Sequence, residues 1–451
     1  MGATEEIARF VVNTDPNSIP GEALNAVREN CFDGAGVILA GASQPVGKII
    51  TRFVRNRAGA PEATVLGGGF RTSAPDAALA NGTMGHALDY DDLGGHVTSY
   101  MLPALLALGE QRHVSGKDIM VAYAMGFEVG ETLRKACRFI ETLRGFHGMA
   151  VWGNMMATAA CGRLLGLTVE KMVMAFGIAG SGGCGVAQNF GTMGKPLHAG
   201  LVARNAVTSV LLATEGFVAA DNILESPVGY LHSHVGEGAF DLSKTLGSLG
   251  QHWSVAKTTA IKKYPCCGSN HSMLDGILSL RAEHGFTFDD VERVEVYGVP
   301  YLSHVLLYPE PKIGLNGKFS LHYNAAAAIL DGRIDIETYR DEKARSEEMK
   351  EALKKVRIHV DSLWDSIRGR ATANPVKIYL KDGRVLTRAV NRWSMKGTRA
   401  DPLSKEQLEA KFLANANRVL SSDQARQAAA IWYKLDALED ISLAASAIGG
   451  A

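Results

Sequence analysis

The periodicity of the chain changes twice, and these changes restrict the fold more than any other feature. Up to about residue 260, apolar residues recur at helical spacing and few segments alternate with a period of two. After Pro265 the spacing switches. In residues 291–299, Val294 and Val296 alternate with Arg293 and Glu295, and Val356, Ile358 and Val360 alternate with Arg357 and His359. Residues 375–380 and 385–390 flank Lys381-Asp382-Gly383-Arg384, in which Asp-Gly is a strong hairpin-turn signal. Apolar helical stretches, 272–280 before the first strand and 323–330 between the first two, accompany these strands. Ser404-Lys405-Glu406-Gln407 then forms a capping box that returns the chain to helix, and Ser421 starts another helix. The pattern predicts a mostly α protein with an α+β part. Residues 1–260 and 395–451 make a large all-helical domain, and residues 261–394 an inserted, smaller α+β lid domain.

Within the helical part, Ser115-Gly116-Lys117-Asp118 caps one predicted helix and Thr168 opens another. Glycine is in excess, 49 of 451 residues or about 11% against the usual ~7%. Ala and Gly recur through 149–165 and 172–187, and small residues at helical spacing let helix axes approach closely. Lys+Arg and Asp+Glu number 47 each, so the formal charge is zero, which argues against a general nucleic-acid or membrane-surface binder. Six cysteines without a C-x-x-C pair exclude a zinc-ribbon or thioredoxin-like site, and adjacent Cys266 and Cys267 read as packing. The first residues lack the basic and apolar regions of a signal peptide, and Glu6 stands where myristoylation wants Ser or Thr. The uncharged run between Lys171 and Lys195 is too rich in glycine to span a bilayer. The expectation is a cytoplasmic protein with neither nucleic-acid nor membrane partners.

Four constellations are candidates for chemistry. The densest is Asn81-Gly82-Thr83-Met84-Gly85-His86-Ala87-Leu88-Asp89-Tyr90-Asp91-Asp92-Leu93-Gly94-Gly95-His96. Helical spacing would put His86, Asp89 and Tyr90 on one face and leave His96 on a glycine loop. A metal site, an aspartate-rich magnesium–diphosphate grip and a set of helix caps all remain open for it. In Gly145-Phe146-His147-Gly148 the histidine opens a small-residue helix, whose positive end favours the neutral base form. A cap is the alternative. In Asn189-Phe190-Gly191-Thr192-Met193-Gly194-Lys195-Pro196-Leu197-His198-Ala199-Gly200 the Walker spacing fails at Pro196, so Lys195 reads as a positioned cation for a carboxylate. Finally, Lys262-Lys263-Tyr264-Pro265-Cys266-Cys267, followed by His271, sits at the proposed junction and suits an anion. A solvated basic linker is its alternative.

Together these stretches, with residues 96–108 and Phe319-Ser320-Leu321-His322-Tyr323, resemble the MmgE/PrpD family. That family includes 2-methylcitrate dehydratases, cis-aconitate decarboxylases and iminodisuccinate epimerases. The resemblance runs in the family's order along nearly the whole chain. It implies a helical domain with an α+β lid, a homodimer, no metal or organic cofactor, and an active site between the domains. His96, His147, Lys195, Lys262 and Tyr323 fall on the family's active-site positions, and Asp89 begins its D-[FY]-D-D run. One departure is Val97-Thr98 after His96, where many members have Pro-Ser.

The chemistry agrees with that resemblance. Removing a proton beside a carboxylate, or replacing CO2 by a proton, creates a carbanion-like centre that needs preorganised cations and donors. Lys195 and Lys262 suit substrate carboxylates, histidine suits proton transfer, and Tyr323 suits a proton or hydrogen bond to a leaving hydroxyl. Asp89, Lys263 and His271 are the expected substrate-binding residues. The expected activity is a cofactor-independent lyase, a dehydratase or decarboxylase, acting on a small di- or tricarboxylate. An epimerase and a non-catalytic small-acid binding protein are the alternatives.

Overall fold

A computed structural model of the chain describes residues 2–137, 140–183, 185–360 and 373–450. Cys184, in the glycine-rich stretch before Asn189, lies outside them. The fold is mostly α with an α+β part, and the described chain divides into two compact units. The first comprises Met1–Val186, Pro196–Thr259 and Ser404–Ala451; the second comprises Ala187–Lys195 and Ala260–Leu403. Residues 187–195 thus group with the α+β unit although they precede it by more than sixty positions in the sequence.

The first unit is a helical assembly whose inner helices are buried on nearly every side. In Ala74–His86 every residue but Pro75 is buried, and Val97–Arg112 is buried from Val97 to Glu110. Gly116–Cys137, Gly148–Leu164 and, from Asn30 onward, Gly21–Ala42 show the same pattern, which an apolar helix adopts when neighbours surround it. Glycine makes the approach possible. A Cβ on Gly82 would lie 2.9 Å from the Ala199 carbonyl oxygen, and one on Gly126 would lie 2.4 Å from that of Met156. Thr168, Ser404 and Ser421 each cap a helix with their side chains, as their sequence contexts predict. Helix Lys405–Ala416, where the chain returns to the first unit, packs on Gly21–Ala42, with Phe412 stacked on Phe32 at 4.6 Å between ring centroids. A short hairpin, Ala63–Val65 with Phe70–Thr72, was not expected here. Three-residue strands are too short to show alternation.

The second unit is built on a four-stranded mixed sheet. Its order is Val356–Val360, Val291–Gly298, Val376–Leu380, Val385–Arg388, with only the first pair parallel. The last two strands form the expected hairpin across Lys381–Arg384, and Val294 and Val296 face inward as their alternation requires. Helices His271–His284 and Leu321–Asp331 bury Leu274, Ile277 and Ile329 in the same apolar core. No helix among the described residues is long and apolar enough to cross a membrane.

Candidate active site

The site in the first unit begins where a helix stops. Ala74–His86 ends at His86, and Asp89 takes a left-handed conformation at φ 51°. The helical register is lost there: Asp89 Oδ1 stays 4.0 Å from His86 Nε2, but Tyr90 leaves the expected shared face. Asp91 turns back toward His86 instead, with both carboxylate oxygens 3.2 Å from Nδ1. The same carboxylate lies 3.2 Å from His96 Nδ1, while Asp89 stands 3.7 Å from that atom. Burial alone would raise the Asp91 carboxyl, but His96 and His86 outweigh it and hold it well below the usual carboxylate range. Tyr90 points elsewhere, its carbonyl accepting from Lys411 Nζ at 3.0 Å.

Asp92 has a different task. Its two oxygens accept from the Val97 and Thr98 backbone N–H groups at 2.9 and 2.7 Å, satisfying the exposed donors of the Val97–Arg112 helix. Burial and the Asp91 charge raise its carboxyl, and the Thr98 hydrogen bonds oppose them. One aspartate of the run is therefore a helix cap, and another is the acceptor for two imidazoles. Arg134 donates to the Gly94 carbonyl, which pins the glycine loop. His96 then takes the N-cap position in a left-handed conformation at φ 58°, its side chain free of capping. Two non-glycine residues held left-handed within eight positions mark a strained turn, and such strain gathers at functional sites.

His147 comes from a separate stretch. It is the N-cap of Gly148–Leu164, and its backbone N–H donates to the Gly185 carbonyl at 2.7 Å. Its ring centroid lies 6.0 Å from His86 and 6.2 Å from His96, and its Nδ1 is 3.1 Å from Nδ1 of His198. Four imidazoles and a carboxylate thus lie in one largely buried cluster. Ligand atoms of His86, His96 and His147, and those of His86, Asp89, Asp91 and His96, fall within 4.8 Å of one another, a donor set a divalent ion would accept. His86, Asp91 and His198 were not among the site residues expected from sequence. All three lie inside the quoted motifs, and His198 follows Lys195 by three positions, which was the available signal.

The remaining expected residues belong to the second unit. Lys195 is 4% exposed, with Nζ 5.6 and 5.1 Å from the ring centroids of Phe190 and Phe319. Lys262 is fully buried, a costly position for an ammonium group and one rarely kept without an anion to serve. Lys263 is half exposed and pairs with Asp275 at 3.2 Å, which Tyr264 also binds. His271 is buried edge-on to Tyr264, 5.2 Å between centroids. Tyr323 lies in the apolar core, its hydroxyl donating to the Thr338 carbonyl at 2.5 Å, and burial raises its phenol. Tyr323 is thus held by a backbone carbonyl within that core. In the first unit, a carboxylate-oriented histidine pair and a second histidine pair are groups able to move protons.

Residues 5–243 match the family model of the MmgE/PrpD N-terminal domain, and residues 264–436 that of the MmgE/PrpD C-terminal domain. The cis-aconitate decarboxylase of Mus musculus is 28% identical, covering 98% of this chain and 92% of its own. Those of Aspergillus terreus and Homo sapiens are each 27% identical, covering 98% and 99% of this chain and 94% of their own lengths. These similarities support a lyase.

Proposed function

The chain belongs to the MmgE/PrpD family, and from that premise we propose that it is a cofactor-independent decarboxylase of cis-aconitate or a closely similar small tricarboxylate. The observation that carries this reading is the buried cluster of Asp91 with His86, His96, His147 and His198. In such a reaction a C–CO2⁻ bond breaks, CO2 departs, and the electron pair spreads toward a remaining carboxylate. A proton then forms the new C–H bond. His96 or His147 delivers that proton, with Asp91 holding the His96 ring in place through Nδ1. Lys195 and Lys262 offset the substrate carboxylates and the charge that develops on them.

The substrate itself is the electron sink, so the chemistry calls for no metal. Dehydration of a related hydroxy acid uses the same proton-transfer groups and is the second reading. The relatives named above give epimerisation no support. Incubation with cis-aconitate, methylcitrate, citrate and iminodisuccinate in heavy water, followed by NMR and CO2 detection, tests the proposal. Loss of CO2 from cis-aconitate with one deuterium gained, unaffected by a chelator, is the expected result. Loss of water without CO2, or deuterium exchange alone, would replace it with the other chemistries.

A further inference from the structure

Nδ1 of His147 and Nδ1 of His198 stand 3.1 Å apart, and the two residues are 5% and 6% exposed. At that distance one nitrogen donates and the other accepts. Two protons would set N–H against N–H, and none would set two lone pairs face to face. Either error costs a buried hydrogen bond that water does not replace. The backbone holds both rings in place. The Gly185 carbonyl accepts from His147, while a Cβ on Gly185 would lie 3.2 Å from His198 Cγ and Nδ1 and 2.5 Å from Ala150 Cβ. Only glycine fits there without moving the ring.

We propose that His198 is a positioning residue that decides which nitrogen of His147 carries the proton. This rests on the reading of His147 as a proton carrier. When His198 accepts, His147 holds its proton on Nδ1 and turns an Nε2 lone pair toward its other side. Among the described residues, the titratable groups around His147 include His86 and His96, with Asp91 and Asp89 behind them, and Glu141 beside Gly148. The two candidate proton carriers thus have different backing. A carboxylate faces Nδ1 of His96, whereas an imidazole faces Nδ1 of His147.

The test is the tautomer state of both rings, read from 15N-histidine NMR of the full chain. In the unaltered protein one of the two must be protonated at Nδ1 and the other bare there. Two rings both bare at Nδ1 would overturn the proposal without any variant. In His198→Ala, His147 should populate both tautomers. Its turnover of cis-aconitate should fall on the order of 10–100-fold with KM little changed, as for other groups that orient a histidine. His198→Asn, whose amide can hydrogen-bond in that place, should recover most of the loss. An unchanged His147 tautomer in His198→Ala, or equal losses in the Ala and Asn variants, would refute it. If the unaltered protein turns over none of the acids, the proposed function fails while the tautomer result still decides this inference.

Discussion

Replacing Lys411 by methionine removes a cation that links the Gly21–Ala42 helix, the Lys405–Ala416 helix and the turn bearing Asp89 and Asp91. Its Nζ lies 2.8 Å from Asp33 Oδ1 with both side chains almost fully buried, and 4.0 Å from the Tyr90 ring centroid. Burial raises the Asp33 carboxyl to about 6 even though Lys411 opposes it, and the Asp92 and Asp91 charges add to the rise. Relative to an ordinary aspartate near 3.8, that corresponds to about 3 kcal/mol. Because the folded state holds this proton more tightly than the unfolded chain does, stability falls as pH rises from 3.8 to about 6, then levels. Without Lys411 the ionised carboxylate has lost its cation, and removing one partner of a buried pair costs about 3–5 kcal/mol. Urea unfolding of Lys411→Met at pH 7.5 should show a loss of that size. At pH 5, where Asp33 protonates, the loss should be markedly smaller. Asp33→Asn combined with Lys411→Met should regain much of it. An equal loss at both pH values, or strict additivity in the double variant, would refute the argument.

Asp91→Asn leaves at most one strong acceptor for two imidazoles, so cis-aconitate turnover should fall by about 10²–10⁴-fold, measured as CO2 release. The depressed Asp91 carboxyl stabilises the fold above the ordinary value near 3.8, so the stability gap between the two proteins should close as pH falls below it. Gly82→Ala forces a Cβ to within 2.9 Å of the Ala199 carbonyl and the Gly200 backbone, and should cost about 1–3 kcal/mol in chemical denaturation. A neutral result would mean that the two helices yield more easily than their contact implies.

Features decided within one or two turns were legible in the sequence. Ser404, Ser421 and Thr168 cap their helices because the side chain and the backbone N–H it accepts from lie three residues apart. The Lys381–Arg384 turn joins two strands because its residues suit that backbone, and the alternation around Val294 and Val296 selects the buried face. The motifs bearing His96, His147, Lys195 and Lys262 stood out for the same local reason, as polar residues set in glycine and apolar sequence.

What only the tertiary structure decided is which of these groups meet. Helical spacing favours Tyr90 beside His86, but the left-handed Asp89 breaks the register and brings Asp91 there. His198 reaches His147 across 51 positions, while Gly82 and Gly200 allow the helices carrying His86 and His198 to come into backbone contact. Tyr323 carries the family motif, yet its hydroxyl is engaged by Thr338 inside the core of the second unit. A residue's own helix or strand follows from its neighbours along the chain. Its partner follows from how closely buried surfaces approach, and that distance is set by side chains far away in sequence.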